Sequence, residues 1–86
     1  MSNVQSFEEY KVWQGDWFEK YTPKQQYLFY LIYKFEKENG EPLITTSSSL
    51  YNTRWLKQKL ESLSEERHIS NFDEFMQVIS DVERGL

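Results

Sequence analysis

The sequence has no cysteine, only three glycines and two prolines, and a single histidine. Without cysteine there is no disulfide framework and no thiolate metal site, a composition that suits a reducing compartment, so a cytoplasmic location is expected. No apolar run approaches the roughly 18 residues a membrane span needs, and Glu8 and Glu9 fall where a secretory leader requires its apolar core. A soluble chain with no membrane partner follows. Gly15, Gly40 and Gly85 are too dispersed for a phosphate-cradling loop.

Catalytic groupings are equally scarce. His68 has no second His, no Cys and no carboxylate at ligand spacing, so it reads as a surface loop residue and no metal is expected. The Ser47, Ser48, Ser49 run has only His68 as a conceivable base, and nothing orients either. Acid pairs drawn from Asp16, Glu19, Asp73 and Glu74 are each explained by a helix start or a solvated face. The sequence therefore predicts no enzyme, no cofactor and no small-molecule substrate. Basic charge is short overall, 10 Lys and Arg against 14 Asp and Glu, with a formal charge of −4. That balance disfavours a nucleic-acid partner for the chain as a whole and suits a basic protein partner or none.

What the chain has instead is aromatic density, with six Phe, six Tyr and three Trp in 86 residues. A chain of this size buries only about 60 to 65% of its unfolded surface, so its core must be built from large rings. The expected fold is all-α, a compact four-helix domain over residues 6–86 behind a loose tail at 1–5, with helix-turn-helix character as an open alternative.

The stretch Tyr27 to Phe35, YLFYLIYKF, is the centre of that fold. Thr22, Pro23 and Gln25 before it make a capping box with proline at the first helical position. Gly40 and Pro42 behind it make a stop, so a helix over about 23–39 is predicted. Leu28, Leu31, Ile32 and Phe35 share one side. Phe29, Tyr30 and Tyr33 lie on the other, either packed beneath a neighbouring helix or available to a partner or a second copy.

Upstream, Ser6 and Glu9 make another capping box. Phe7, Tyr10, Trp13, Trp17, Phe18 and Tyr21 fall within an arc of about 140° on one helical wheel. Gly15 offers a break at 14–16, but the shared face favours one continuous helix. A one-sided aromatic stripe is read as core rather than as a base-stacking platform.

Residues 42–60 are a compositional break, with Arg54, Lys57 and Lys59 and no acid, a local +3 against −7 for the remainder. A third helix over about 48–63, starting among the hydroxyls between Ser47 and Asn52, buries Leu56, Leu60 and Leu63. Tyr51, Arg54 and Gln58 point away from that stripe, with Trp55 beside them. Hydroxyls at a helix start with nearby cations suit phosphate, while the alternative has Tyr51 and Trp55 covering a neighbouring helix. A last helix, capped at Ser70 or Asn71, carries an apolar face of Phe72, Phe75, Met76, Val78, Ile79 and Val82, with Asp73, Glu74, Gln77, Asp81 and Arg84 outside it.

From Thr22 the order carried by Lys24, Gln25, Gln26, Leu28, Phe29, Leu31 and Ile32 resembles the opening helix of the LexA-type winged-helix DNA-binding domain. Gly40 and Pro42 stand where that family stops its helix, and Leu60 to Leu63 with Ile69 are similar to the end of its recognition helix. The resemblance spans roughly half the chain. It implies that the helix carrying Tyr51 to Lys59 enters the major groove; yet Ser70 to Glu83 reads as helix where the family has a β-hairpin wing. Two functional expectations result. One is a small regulatory protein binding DNA through Ser47, Ser48, Tyr51, Arg54, Trp55, Lys57, Gln58 and Lys59, with Arg54 and Gln58 reaching base edges. The other is a helical protein-interaction module or inhibitor using Phe29, Tyr30 and Tyr33 or the Tyr51 and Trp55 face.

Overall fold

The computed structural model describes residues 6–40, 43 and 53–85. Among these are four α-helices and no strand: α1 (Phe7–Gln14), α2 (Pro23–Asn39), α3 (Thr53–Glu66) and α4 (Phe72–Glu83), with a short 3-10 segment (Asp16–Lys20) after α1. The all-α expectation holds.

The central helix forms where its caps place it. The Thr22 hydroxyl accepts from the Gln25 N–H, and the Gln25 side chain accepts from the Thr22 N–H, closing the box. Gly40 ends the helix in the left-handed conformation, φ 68°, with its N–H bonded to the Glu36 carbonyl. Because α2 is apolar on both sides, it separates two cores. On one side Leu28, Leu31, Ile32 and Phe35 meet Leu43, the α3 stripe Leu56, Leu60 and Leu63, and Ile69, Phe75, Val78 and Ile79 of the α4 region. On the other side Tyr30 meets Tyr10 and Phe18, with Phe7, Tyr21, Tyr27, Phe29 and Tyr33 packed around them.

The aromatic stripe upstream does not lie on one helix. α1 stops at Gln14 because Gly15 takes φ 88°, ψ −172°, a backbone region essentially closed to residues with a Cβ. The chain then turns back as a 3-10 segment, in which residues three apart eclipse. Phe18 and Tyr21 consequently face α2 together, while Trp17 swings outward. Gln26 fixes this arrangement: its Nε2 donates to the carbonyls of Phe18, at 3.2 Å, and Tyr21, at 2.9 Å. Continuity from Phe7 to Tyr21 is thus corrected, and only part of the stripe is core.

Two expectations for α4 also change. Asn71 is the N-cap but sits at φ 57° and makes no side-chain cap bond, so the expected capping by its side chain does not form. Asp81, expected outside the apolar face, is buried at 7% exposure. The start of α2 packs against the end of α4, where Lys24 reaches the Asp81 carboxylate at 3.0 Å. α3 continues past Leu63 to Glu66; its expected start among Ser47 to Asn52 lies outside the described residues. The start of α3 meets the end of α4, where Glu83 takes the Thr53 hydroxyl at 3.1 Å and the Lys57 ammonium at 3.5 Å.

The 3-10 geometry separates two neighbouring aromatics sharply. Phe18→Ala should destabilise by about 3 to 5 kcal/mol, since it empties a fully buried ring site, whereas Trp17→Ala should cost under about 1 kcal/mol. Urea denaturation of the two variants measures this; equal losses would mean that both rings are core.

Candidate functional site

Ser6 caps α1 through the Glu9 N–H, and Tyr10 turns inward to T-stack on Phe18 at 5.6 Å and to pack against Tyr30 at 5.5 Å. Such ring pairs contribute about 0.5 to 1.5 kcal/mol each beyond the area they bury. The Tyr10 hydroxyl accepts from Gln14 Nε2 at 2.8 Å. Burial pushes the Tyr10 phenol up from its ordinary value of 10.0, opposed by the Gln14 bond and reinforced by Tyr33 and Glu36. Tyr27 is raised likewise, by burial first and then by donating its hydroxyl to the Glu74 carboxylate at 3.0 Å. Both phenols stay protonated at neutral pH and act as donors or packing groups.

This interior leaves a particular set of side chains outside. Val12 is 82% exposed, and Trp13 and Trp17 are each 50% exposed. Trp13 rests one edge on Tyr10 and Tyr33, and Trp17 rests on Phe18 and Tyr21, so both rings are braced yet open to solvent. Val12, but neither tryptophan, lines a cleft of about 660 Å³ together with Asp16, Phe18, Glu19 and Gln26. The lysines of this region are already engaged. Lys11 lies 4.8 Å over Phe7 and bridges Glu8, while Lys20 lies over Trp17 and Tyr21. Lys34 and Lys37 cover Tyr30 and Tyr33.

The surfaces expected from sequence fare unevenly. Tyr30 is 9% exposed and belongs to the aromatic interior, so its reading as a partner contact is corrected; rings from α1 cover it. Phe29 and Tyr33 are half-buried in the same cluster. On α3, Arg54, Gln58 and Lys59 are exposed and Trp55 is 39% exposed. Lys57, however, is partly buried and paired with Glu83, and the following turns carry exposed Glu61, Glu65 and Glu66. Ser47, Ser48 and Tyr51 lie outside the described residues. The exposure of Trp13 and Trp17 was hidden from a single-wheel reading. Gly15, followed immediately by an acid that can start a new turn, was the available signal.

Elsewhere the described residues hold no grouping of three His, Asp or Glu side chains able to bind a metal, and none of their helices is long and apolar enough to cross a membrane. His68 is exposed on the α3–α4 connection. The most organised charge cluster is structural. Asp81 takes Lys24 at 3.0 Å, Arg84 at 2.8 Å and the Gln77 amide at 3.1 Å. Compared with protein-family profiles, characterised proteins and solved structures, the chain matches none.

Lys24 first, then Arg84 and Gln77, hold the Asp81 carboxyl down at about 2 against an ordinary 3.8. A depressed carboxyl contributes stability that is fully present above its unfolded value and lost as pH falls through the folded one. Thermal stability should therefore decline from pH 4 towards pH 2 as this cluster is protonated. Asp81→Asn should lower the melting temperature at neutral pH, with the gap from wild type closing across that interval; a gap independent of pH would exclude the charge as its cause.

Proposed function

We propose that the protein is a non-enzymatic helical binding module that recognises another protein through the face formed by α1 and the 3-10 segment. The observation that carries this reading is the half-exposure of both Trp13 and Trp17, with Val12 82% exposed on the same helix as Trp13. Tryptophan dominates the energetics of protein interfaces because a large rigid surface is desolvated at little entropic cost. Here both rings are held by aromatic neighbours, Trp13 by Tyr10 and Tyr33 and Trp17 by Phe18 and Tyr21, so little ordering remains to be done on binding. Their exposure also carries a solubility risk that a purely structural role does not require. A cysteine-free acidic chain of this kind suits the cytoplasm.

A second reading follows from α3. Arg54 and Gln58, one turn apart, are exposed with Trp55 and Lys59, the arrangement that major-groove contact requires and that the winged-helix resemblance implies. With Lys57 engaged by Glu83, Arg54 and Lys59 would neutralise about two phosphates, for a log–log salt slope near −2. The position of the family's wing is taken by α4. This reading therefore stands behind the first.

Affinity capture with wild type and with Trp13→Ser, Trp17→Ser as baits separates these ideas. The module reading expects partners retained by wild type and lost from the double variant at unchanged circular dichroism; identical capture by both would overturn it. In a low-salt titration with mixed duplex DNA, the second reading expects binding that Arg54→Ala with Lys59→Ala removes. Absence of binding would end that reading.

A further inference from the structure

We propose that the cleft between α1 and the 3-10 segment accepts a cationic, amphipathic segment of a partner protein, Val12 supplying apolar contact and Asp16 and Glu19 the counter-charges. This rests on the module reading and adds the chemistry of the occupant.

Charge complementarity carries the argument. Among the described residues Glu8, Asp16 and Glu19 line the cleft against a single cation, Lys11, which already spans Glu8 at 3.3 Å. Lys20, the other cation of this segment, lies 5.3 Å over the Tyr21 ring and 5.9 Å over Trp17. Asp16 and Glu19 are both exposed, and among the described residues neither forms an ion pair. At the back of the cleft Phe18 is fully buried, and the Gln26 amide is committed to the Phe18 and Tyr21 carbonyls. The cleft therefore presents an apolar residue and two unneutralised carboxylates, with no cation among its described residues left to attract an anion.

That chemistry discriminates among occupants. Nucleic acid and an anionic lipid surface are both repelled by exposed carboxylates. A small molecule would need buried convergent polar groups, whereas the polar groups here are at an open rim. An extended or helical segment with lysine or arginine on one side and an apolar residue on the other matches both features, because charges at an interface rim steer encounter while the apolar centre holds the complex.

The test uses the full chain and a labelled amphipathic peptide of leucine and lysine, with a leucine and glutamate peptide of the same pattern as comparison. The lysine peptide should bind wild type and the glutamate peptide should not. Asp16→Lys with Glu19→Lys should weaken binding about tenfold or more. Glu65→Lys with Glu66→Lys on α3 alters net charge equally and should leave binding unchanged. Val12→Lys, at an exposed position that cannot disturb the core, should reproduce the loss. Equal loss from both charge reversals, equal binding of the two peptides, or no binding of the lysine peptide would overturn the proposal. Sedimentation showing that the pure protein self-associates through this cleft would also overturn it, by making a second copy the occupant. If the glutamate peptide binds and Trp13→Ser with Trp17→Ser abolishes it, the face is a binding surface and only the cationic occupant is wrong. If neither peptide binds and affinity capture is unaffected by the tryptophan changes, both ideas fall.

Discussion

A helix that is apolar on both sides must be covered on both sides, and α2 imposes that requirement on the whole chain. Its Leu28, Leu31, Ile32 and Phe35 side draws α3 and α4 together into an aliphatic core. Its Tyr30 side would be left in water by those helices alone. The segment from Phe7 to Tyr21 meets the need by folding back on itself, with Tyr10 and Phe18 placed on α2 from the two arms of the turn at Gly15. In a chain this small each burial matters, since total stability is only on the order of 0.05 to 0.15 kcal/mol per residue.

The same constraint creates the candidate binding face. A continuous helix would lay its aromatic stripe against α2 and bury much of it. The reversal at Gly15 instead commits four of the six rings to the aromatic cluster and displays Trp13 and Trp17 outside, each still resting on an interior neighbour. The packing that hides Phe18 is what holds Trp17 in the open. The charge pattern follows as well. Lysines lie over the rings they shield, so the acids at the cleft are left to face solvent.

Much of this was legible in the chain itself. Thr22, Pro23, Gln25 and Gly40 are local signals, and α2 runs between them because caps act through the backbone of their own segment. The leucine stripe of α3 and the apolar face of α4 follow from periodicity alone. Two of the misreadings, Asp81 and Tyr30, depended on partners distant in sequence, whereas the break at Gly15 was local. The wheel that joined Phe7 to Tyr21 assumed 3.6 residues per turn across Gly15, and the alternative is stabilised by Gln26 on the next helix. Asp81 looks solvated until Lys24, far away in the chain, is brought against it. Tyr30 looks available until Phe7 and Tyr10 are laid over it. The Arg54 and Gln58 face was readable because it depends only on being opposite the leucine stripe of its own helix.

The proposed binding surface is the tryptophan-bearing face of α1 and the 3-10 segment. The chain's three indoles make this directly observable, because Trp13, Trp17 and Trp55 each give one indole N–H resonance. In a nitrogen-labelled sample titrated with the leucine and lysine peptide, the Trp13 and Trp17 indole signals should shift while Trp55 stays in place. A shift confined to Trp55 would contradict it and move the working surface to α3.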